Sequence, residues 1–331
     1  MSHTILLNKR PVGRPELSDF KTITEDKPVI NPGQILLKTS YISVDPYLRG
    51  RMSDAKSYAE PFELNKPMVS GVIAEIVESQ NEKFKVGQFV SGMLAWKEFQ
   101  KSSGEGLRVV DTSEVGESVY LGALGMTGMT AFLGLTEIGK PKKGETIIIS
   151  GAAGAVGSIV GQIGKILGCR VVGIAGTDEK VNMLKSQFGF DEGINYNTTE
   201  NMSEAIKKAC PDGVDVYFDN VGGEISDAVL YNINRFARMI ICGAISSYNE
   251  TETVKGLSVQ PFLVKNSALM QGFILGNYAE KFPEATSQLL EWFKEGKIKS
   301  EETVVEGFEN IPQAFIDLFD GKNKGKMVVK A

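Results

Sequence analysis

The stretch Thr146-Ile147-Ile148-Ile149-Ser150-Gly151-Ala152-Ala153-Gly154-Ala155-Val156-Gly157-Ser158 decides the fold of this chain. Its β-branched apolar run predicts a buried strand, its glycines a tight turn, and the continuation to Leu167 a helix over 155–167. Glycines placed between a strand and a helix let a pyrophosphate approach the backbone, where the free N–H groups of the helix start face the anion. The first gap, Gly151 to Gly154, is one residue longer than in the usual Gly-x-Gly-x-x-Gly pattern. A glycine cluster alone also fits an ordinary turn; the strand before it, the helix after it and the alternation that follows favour a dinucleotide site. The window Thr146 to Gly164 holds 19 uncharged residues, close to a membrane span in length. Its five glycines, two serines, one threonine and one glutamine make a poor lipid-facing helix, and strand-turn-helix accounts for it better.

Downstream, strand-like and helix-like runs alternate every 20 to 30 residues or so. Strands are expected at Thr146 to Ser150, Arg170 to Ala175, Glu192 to Asn195, Val214 to Asp219, Arg238 to Cys242 and Leu269 to Ile274, with helices near 155–167, 178–188, 201–209 and 223–233. Six strands with crossover helices imply an α/β fold with a doubly wound parallel sheet. Tyr278 to Glu295 reads as a helix stopped by Gly296. Upstream the texture differs: seven of twelve prolines fall in the first 70 residues, among short apolar runs, which predicts a β-rich unit. The expected domains are 1–122, 123–296 and a C-terminal segment 297–331, whose Val304-Val305 and Met327-Val328-Val329 return to complete the first unit. No internal repeat is visible.

With 36 Lys plus Arg against 41 Asp plus Glu, the 331-residue chain carries a net charge of -5, which argues against a nucleic-acid or membrane-surface partner. Three scattered cysteines, Cys169, Cys210 and Cys242, do not suggest a disulfide framework, and the N-terminal residues lack a signal-peptide pattern, so a cytoplasmic location is expected. His3, near a terminus expected to be loosely held, is the only histidine. Histidine-dependent triads and metal sites are therefore not expected, and no metal is assigned.

The second strand ends in Ala175-Gly176-Thr177, without the acid that usually binds an adenosine 2′-hydroxyl, and Lys180 follows. That favours NADP(H), with Lys180 at the 2′-phosphate; the plainer alternative is a solvated helix lysine. Asp178 and Glu179 are close by, but in a helix's first turn they also complement the dipole. Cys242 has no histidine or clear cation near it in sequence and reads as a structural cysteine rather than a nucleophile.

The motifs "SGAAGAVGS", "AGTDEKV", "NYN", "DNVGGE", "ICGAISSYN", "GKNKGKMVVKA" and the earlier "SVDPYLRGRMSD" occur in an order that resembles the zinc-independent medium-chain dehydrogenase/reductase superfamily. Within it, the chain is most similar to the prostaglandin reductase and leukotriene B4 dehydrogenase family, with the plant alkenal and bacterial curcumin reductases. The resemblance covers nearly the whole chain. It implies a Rossmann domain that binds NADP(H) and a GroES-like β-rich substrate domain completed by the C-terminal segment. It places Gly154, Ala155, Val156 and Gly157 at the pyrophosphate, Lys180 and Tyr196 at the adenosine phosphate, and Asn220, Cys242, Gly243, Ala244, Ile245 and Ser246 along the cofactor. Phe273, Ile274 and Leu275 would lie by the nicotinamide, and Asn323 would reach it from the C-terminal segment.

The activity so implied is NADPH-dependent reduction of the C=C bond of an enal or enone, a small-molecule substrate, by hydride transfer to the β-carbon. A neutral phenol suits a transient enolate; the resemblance makes Tyr248 the expected hydrogen-bond donor and Tyr47 a candidate for lining the substrate cleft, although either tyrosine could instead pack with its hydroxyl on a backbone carbonyl. Two rivals stand beside it: quinone reduction by the same cofactor geometry, and a non-catalytic NADPH-binding protein. A homodimer through the apolar last strand is also expected.

Overall fold

In the computed structural model, which describes residues 1–331, the chain divides into two compact units. The first gathers Met1–Leu121, Glu302–Asn323 and Met327–Ala331; the second gathers Gly122–Glu301 and Lys324–Lys326. Seven strands open the chain: β1 (Ser2–Leu7), β2 (Phe20–Glu25), β3 (Ile35–Ser43), β4 (Val69–Ser79), β5 (Phe89–Ala95), β6 (Phe99–Ser102) and β7 (Arg108–Val110). β1 and β2 make an antiparallel ribbon, and β3, β4 and β5 an antiparallel meander that β6 and β7 extend. Trp96 is fully buried in this unit's core, stacked at 6.2 Å on Phe20, with its indole N–H donated to Ser70 Oγ at 2.8 Å. A buried indole needs such an acceptor, because an unmade bond there costs about 1–3 kcal/mol. The N-terminus is not loose, contrary to expectation. His3 lies within β1, its backbone N–H donated to Glu98 Oε2 at 2.8 Å and its ring Nδ1 3.0 Å from the same oxygen.

The short helix α1 (Leu48–Arg51) follows β3. Arg49 is buried and donates to the carbonyls of Gly13 and Pro11, so this basic residue ties down a neighbouring loop.

The second unit begins with α2 (Met126–Leu133), which runs into a π-helical segment, Gly134–Gly139. Then come β8 (Thr146–Ile149), α3 (Gly157–Ile166), β9 (Arg170–Ala175), α4 (Asp178–Phe188), β10 (Glu192–Asn195), α5 (Met202–Ala209), β11 (Val214–Asp219), α6 (Gly223–Leu230), β12 (Ile233–Ile241), α7 (Gln260–Asn266), β13 (Leu269–Gly272) and α8 (Phe282–Lys294). The sheet order is β10-β9-β8-β11-β12-β13 and every pairing is parallel. This is the doubly wound arrangement in which the winding reverses between the first and fourth strands. Ile147, Ile148 and Ile149 are completely buried, as a central parallel strand covered on both faces requires. No helix is long and apolar enough to cross a membrane.

Around the start of β12 two elements depart from expectation. The strand expected at Arg238 starts at Ile233, and the helix expected to reach 233 stops at Leu230. Val214 pairs with Ile233 and Val216 with Arg238, so β12 bulges between them, and Phe236 takes a left-handed φ of 63° there.

After α8 the chain supplies β14 (Glu302–Glu306), α9 (Ile311–Asp317) and β15 (Lys326–Lys330). These complete the first unit's sheet in the order β14-β15-β3-β4-β5-β7, with Val328 opposite Ser43 and Lys330 opposite Tyr41. Between α9 and the body of β15 the chain makes a three-residue visit to the second unit, Lys324–Lys326. Gly325 N–H bonds to Ala153 O at 2.8 Å, and Lys326 N–H to Glu301 O at 2.9 Å.

Candidate active site

In the second unit the loops at the carboxyl ends of β8, β9, β11, β12 and β13 follow parallel strands around the point where the winding reverses, where open α/β sheets bind ligands. Gly151 has φ 58° and accepts the Gly154 N–H at 3.0 Å, closing the turn. A Cβ on Gly157 would lie 2.5 Å from Gly151 O and 2.7 Å from Ala152 Cα, so the start of α3 seats on the turn only because residue 157 lacks a side chain. The N–H groups of Ala155 and Val156 make no bond within the protein and stand at the start of a ten-residue helix. Two backbone donors and a helix dipole suit a pyrophosphate.

At the tip of β9, Thr177 caps α4 by accepting the Lys180 N–H at 3.2 Å. Both acids of the first turn are engaged: Asp178 accepts from Asn195 Nδ2 at 2.7 Å, and Glu179 pairs with Lys324 Nζ at 2.5 Å. Burial first, and then the nearby Lys324 charge, lower the pKa of Lys180. The Tyr196 ring lies over Gly176, where an added Cβ would come 2.7 Å from the phenolic oxygen. Lys180 and Tyr196 thus flank the same turn as the two expected residues of the adenosine end.

β11 ends in a residue that sequence reasoning did not single out. Asp219 is 2% exposed and its Oδ1 accepts from Ser150 Oγ, Val221 N–H and Gly222 N–H at 2.8 to 2.9 Å, while Oδ2 accepts from Ser226 Oγ at 2.9 Å. A carboxylate so satisfied fixes the loop that carries Asn220, whose side chain donates to Ser150 O at 2.8 Å. The sequence signal was present, since an Asp ending an apolar strand needs donors close by.

The loop after β12 is stitched to that one. Cys242 and Gly243 N–H bond to Asp219 O at 2.8 and 3.1 Å, Ile245 N–H to Asn220 O at 3.3 Å, and Ser246 Oγ to Val221 O at 2.6 Å. Burial and then the Asp219 charge push the Cys242 thiol up to about 12, the opposite of what a nucleophile needs. Tyr248 folds back over this loop, and its hydroxyl accepts the Ala244 N–H at 3.3 Å. Burial raises the phenol's pKa more than that N–H lowers it, so the group is protonated at neutral pH. With the oxygen accepting, the O–H remains as a donor. After β13, Phe273 packs edge-on against Tyr278 at 6.3 Å, and Ile274 and Leu275 continue from it.

The first unit holds the other two expected residues, Tyr47 and Asn323. The Tyr47 hydroxyl is buried with no hydrogen-bond partner, and burial, followed by the Asp45 charge, raises its pKa well above the ordinary phenol value.

Residues 3–110 match the family model for the N-terminal domain of oxidoreductase, and residues 155–295 match that for zinc-binding dehydrogenase. The putative NADP-dependent oxidoreductase YfmJ of Bacillus subtilis (strain 168) is 56% identical over 98% of this chain and 96% of its own. The chain belongs to the zinc-independent medium-chain dehydrogenase/reductase family. The NADPH-dependent curcumin reductase of Escherichia coli (strain K12) is 42% identical over 98% of this chain and 95% of its own. The NADP(+)-dependent 2-alkenal reductase of Nicotiana tabacum is 41% identical over 98% of this chain and 96% of its own. The crystal structure of CurA from Vibrio vulnificus in complex with NADPH superposes with a TM-score of 0.94 at 42% identity, covering 99% of each chain. This member of the family is an NADPH-dependent oxidoreductase of the curcumin and alkenal reductase type. The zinc in the second family model's description finds no counterpart in its donor set: no three His, Cys, Asp or Glu side chains come together as ligands.

Proposed function

We propose that the protein reduces the carbon–carbon double bond of an α,β-unsaturated aldehyde or ketone. The observation that carries this is Tyr248, a neutral phenol whose oxygen is occupied by the Ala244 N–H and whose proton is left to donate. NADPH, when bound, supplies a hydride to the β-carbon. Tyr248 donates a hydrogen bond to the substrate's carbonyl oxygen and stabilises the enolate that develops there, while solvent water protonates the α-carbon. Gly154, Ala155, Val156 and Gly157 hold the pyrophosphate, Lys180 and Tyr196 the adenosine 2′-phosphate end, and Asn220 with Cys242 to Ser246 the length of the cofactor. Phe273, Ile274 and Leu275 flank the nicotinamide, with Asn323 contributing from the C-terminal segment. The first unit serves as the substrate domain, and Tyr47, protonated because burial disfavours its anion, lines its pocket.

The exposed edge of β13, where Leu269 is 46% exposed, supports a homodimer formed along that strand. The free thiols Cys169, Cys210 and Cys242 favour a cytoplasmic location. The test is NADPH oxidation, and separately NADH oxidation, with a panel of 2-alkenals, enones and quinones, each with product identification. Saturated aldehydes and ketones are expected with NADPH. Turnover of quinones alone would replace the reading with quinone reduction, and tight NADPH binding without turnover would replace it with a non-catalytic role.

A further inference from the structure

The three-residue visit of the C-terminal segment to the second unit brings a charge to the adenosine end of the dinucleotide site. Gly325 is bonded to Ala153 beside the glycine turn, and the residue before it, Lys324, reaches Glu179 in the first turn of α4. Glu179 adjoins Lys180 in sequence and interacts electrostatically with it, as does Lys324. An unmasked carboxylate at this position would repel a dianionic 2′-phosphate and blunt Lys180's attraction for it. The neighbouring Asp178 is engaged by Asn195, which leaves Glu179 as the charge that has to be cancelled.

We propose that Lys324 is a specificity-determining residue for NADPH over NADH, acting by masking the charge of Glu179 beside Lys180. The inference rests on the assignment of Lys180 to the 2′-phosphate. The ion pair is solvent-exposed, with Glu179 at 71% and Lys324 at 39%, so its worth to folding is small. Its effect on a nearby dianion is larger, because one uncompensated carboxylate acts on two charges.

The test is calorimetric titration of the whole protein with adenosine 2′,5′-bisphosphate and, in parallel, with ADP, which lacks the 2′-phosphate. Lys324→Gln is expected to weaken the 2′-phosphorylated ligand about tenfold and to change ADP by less than about twofold. The double variant Lys324→Gln with Glu179→Gln should restore the lost affinity to within about twofold. An unchanged ligand ratio in Lys324→Gln overturns the proposal, and so does a double variant that stays weak. Lys180→Ala separates the layers. If it abolishes the preference while Lys324→Gln does not touch it, only the masking role falls. If Lys180→Ala leaves the preference intact, the assignment beneath it falls too, and with it the proposal.

Discussion

A single hydroxyl and a single missing Cβ show how much of this site depends on individual atoms. Tyr248→Phe removes one hydrogen-bond donor and keeps the ring that packs over the loop after β12. Turnover with an enal should fall roughly a hundredfold, with the Kd for NADPH, read by fluorescence titration, unchanged. Gly157→Ala places a methyl carbon 2.5 Å from Gly151 O, a distance real Cβ atoms do not reach, so α3 must shift from its seat. A loss of about 1–3 kcal/mol in a denaturant melt is expected, together with weakened NADPH binding. Residue-level reading of the sequence reached Gly157 because glycine spacing is local. It did not reach Lys324, whose partner Glu179 lies 145 positions away in the chain. Nor could it show that Asp178 and Glu179 are engaged by side chains rather than serving only the helix dipole, since Asn195 and Lys324 come from other elements.

At the scale of elements, the β-branched runs were enough to place the buried strands β8, β9 and β11, because a strand covered on both faces has little freedom in composition, whereas the part-exposed edge strands β10 and β13 were legible only from the alternation with helices. The segment Met126–Gly139 was not legible as a helix. Its glycines at 128, 134 and 139 are poor helix formers, yet each lies where a Cβ would collide, with Ala123 O, Phe218 and Ile240 respectively. Close packing outweighs propensity there, and packing is not written in a local window. The bulge in β12 was hidden for a related reason: it is defined by its register against β11. One ion pair between elements makes a prediction about acid. Burial alone would raise the Asp191 pKa, but Lys165 Nζ at 2.8 Å and the Val171 N–H at 2.7 Å outweigh it and hold the carboxyl below its ordinary value. A depressed carboxylate contributes stability that is complete above its unfolded pKa and is lost as pH falls through the folded one. Asp191→Asn should therefore lower Tm at neutral pH and flatten the decline of Tm in the acid range below about pH 4. Thermal melts across pH would show whether the two curves converge.

On the scale of the whole molecule, the two compact units keep separate cores, one around Trp96 and Phe315 and the other around Ile148 and Tyr217. The last strand of the parallel sheet leaves Leu269 half-exposed on its edge. Leu269→Lys puts a charge there and should convert a dimer to a monomer in sedimentation velocity; if the native protein already sediments as a monomer, the edge strand has no such role. The α/β character and the return of Met327-Val328-Val329 to the first unit were legible, since hydrophobic strands that do not extend the parallel run need another sheet. What the sequence did not reveal is that the chain touches the second unit at Lys324–Lys326 on its way back.

That late return has a consequence for synthesis. β15 lies between β14 and β3, so until β15 has been made and has emerged, β3 lacks the partner that pairs with Tyr41, Ile42 and Ser43. The parallel sheet, contained within residues 146–272, has all its strands much earlier. A nascent chain should thus carry a formed nucleotide-binding sheet beside an unfinished neighbour. Its open strand is the stretch that a chaperone would need to shield until β15 arrives.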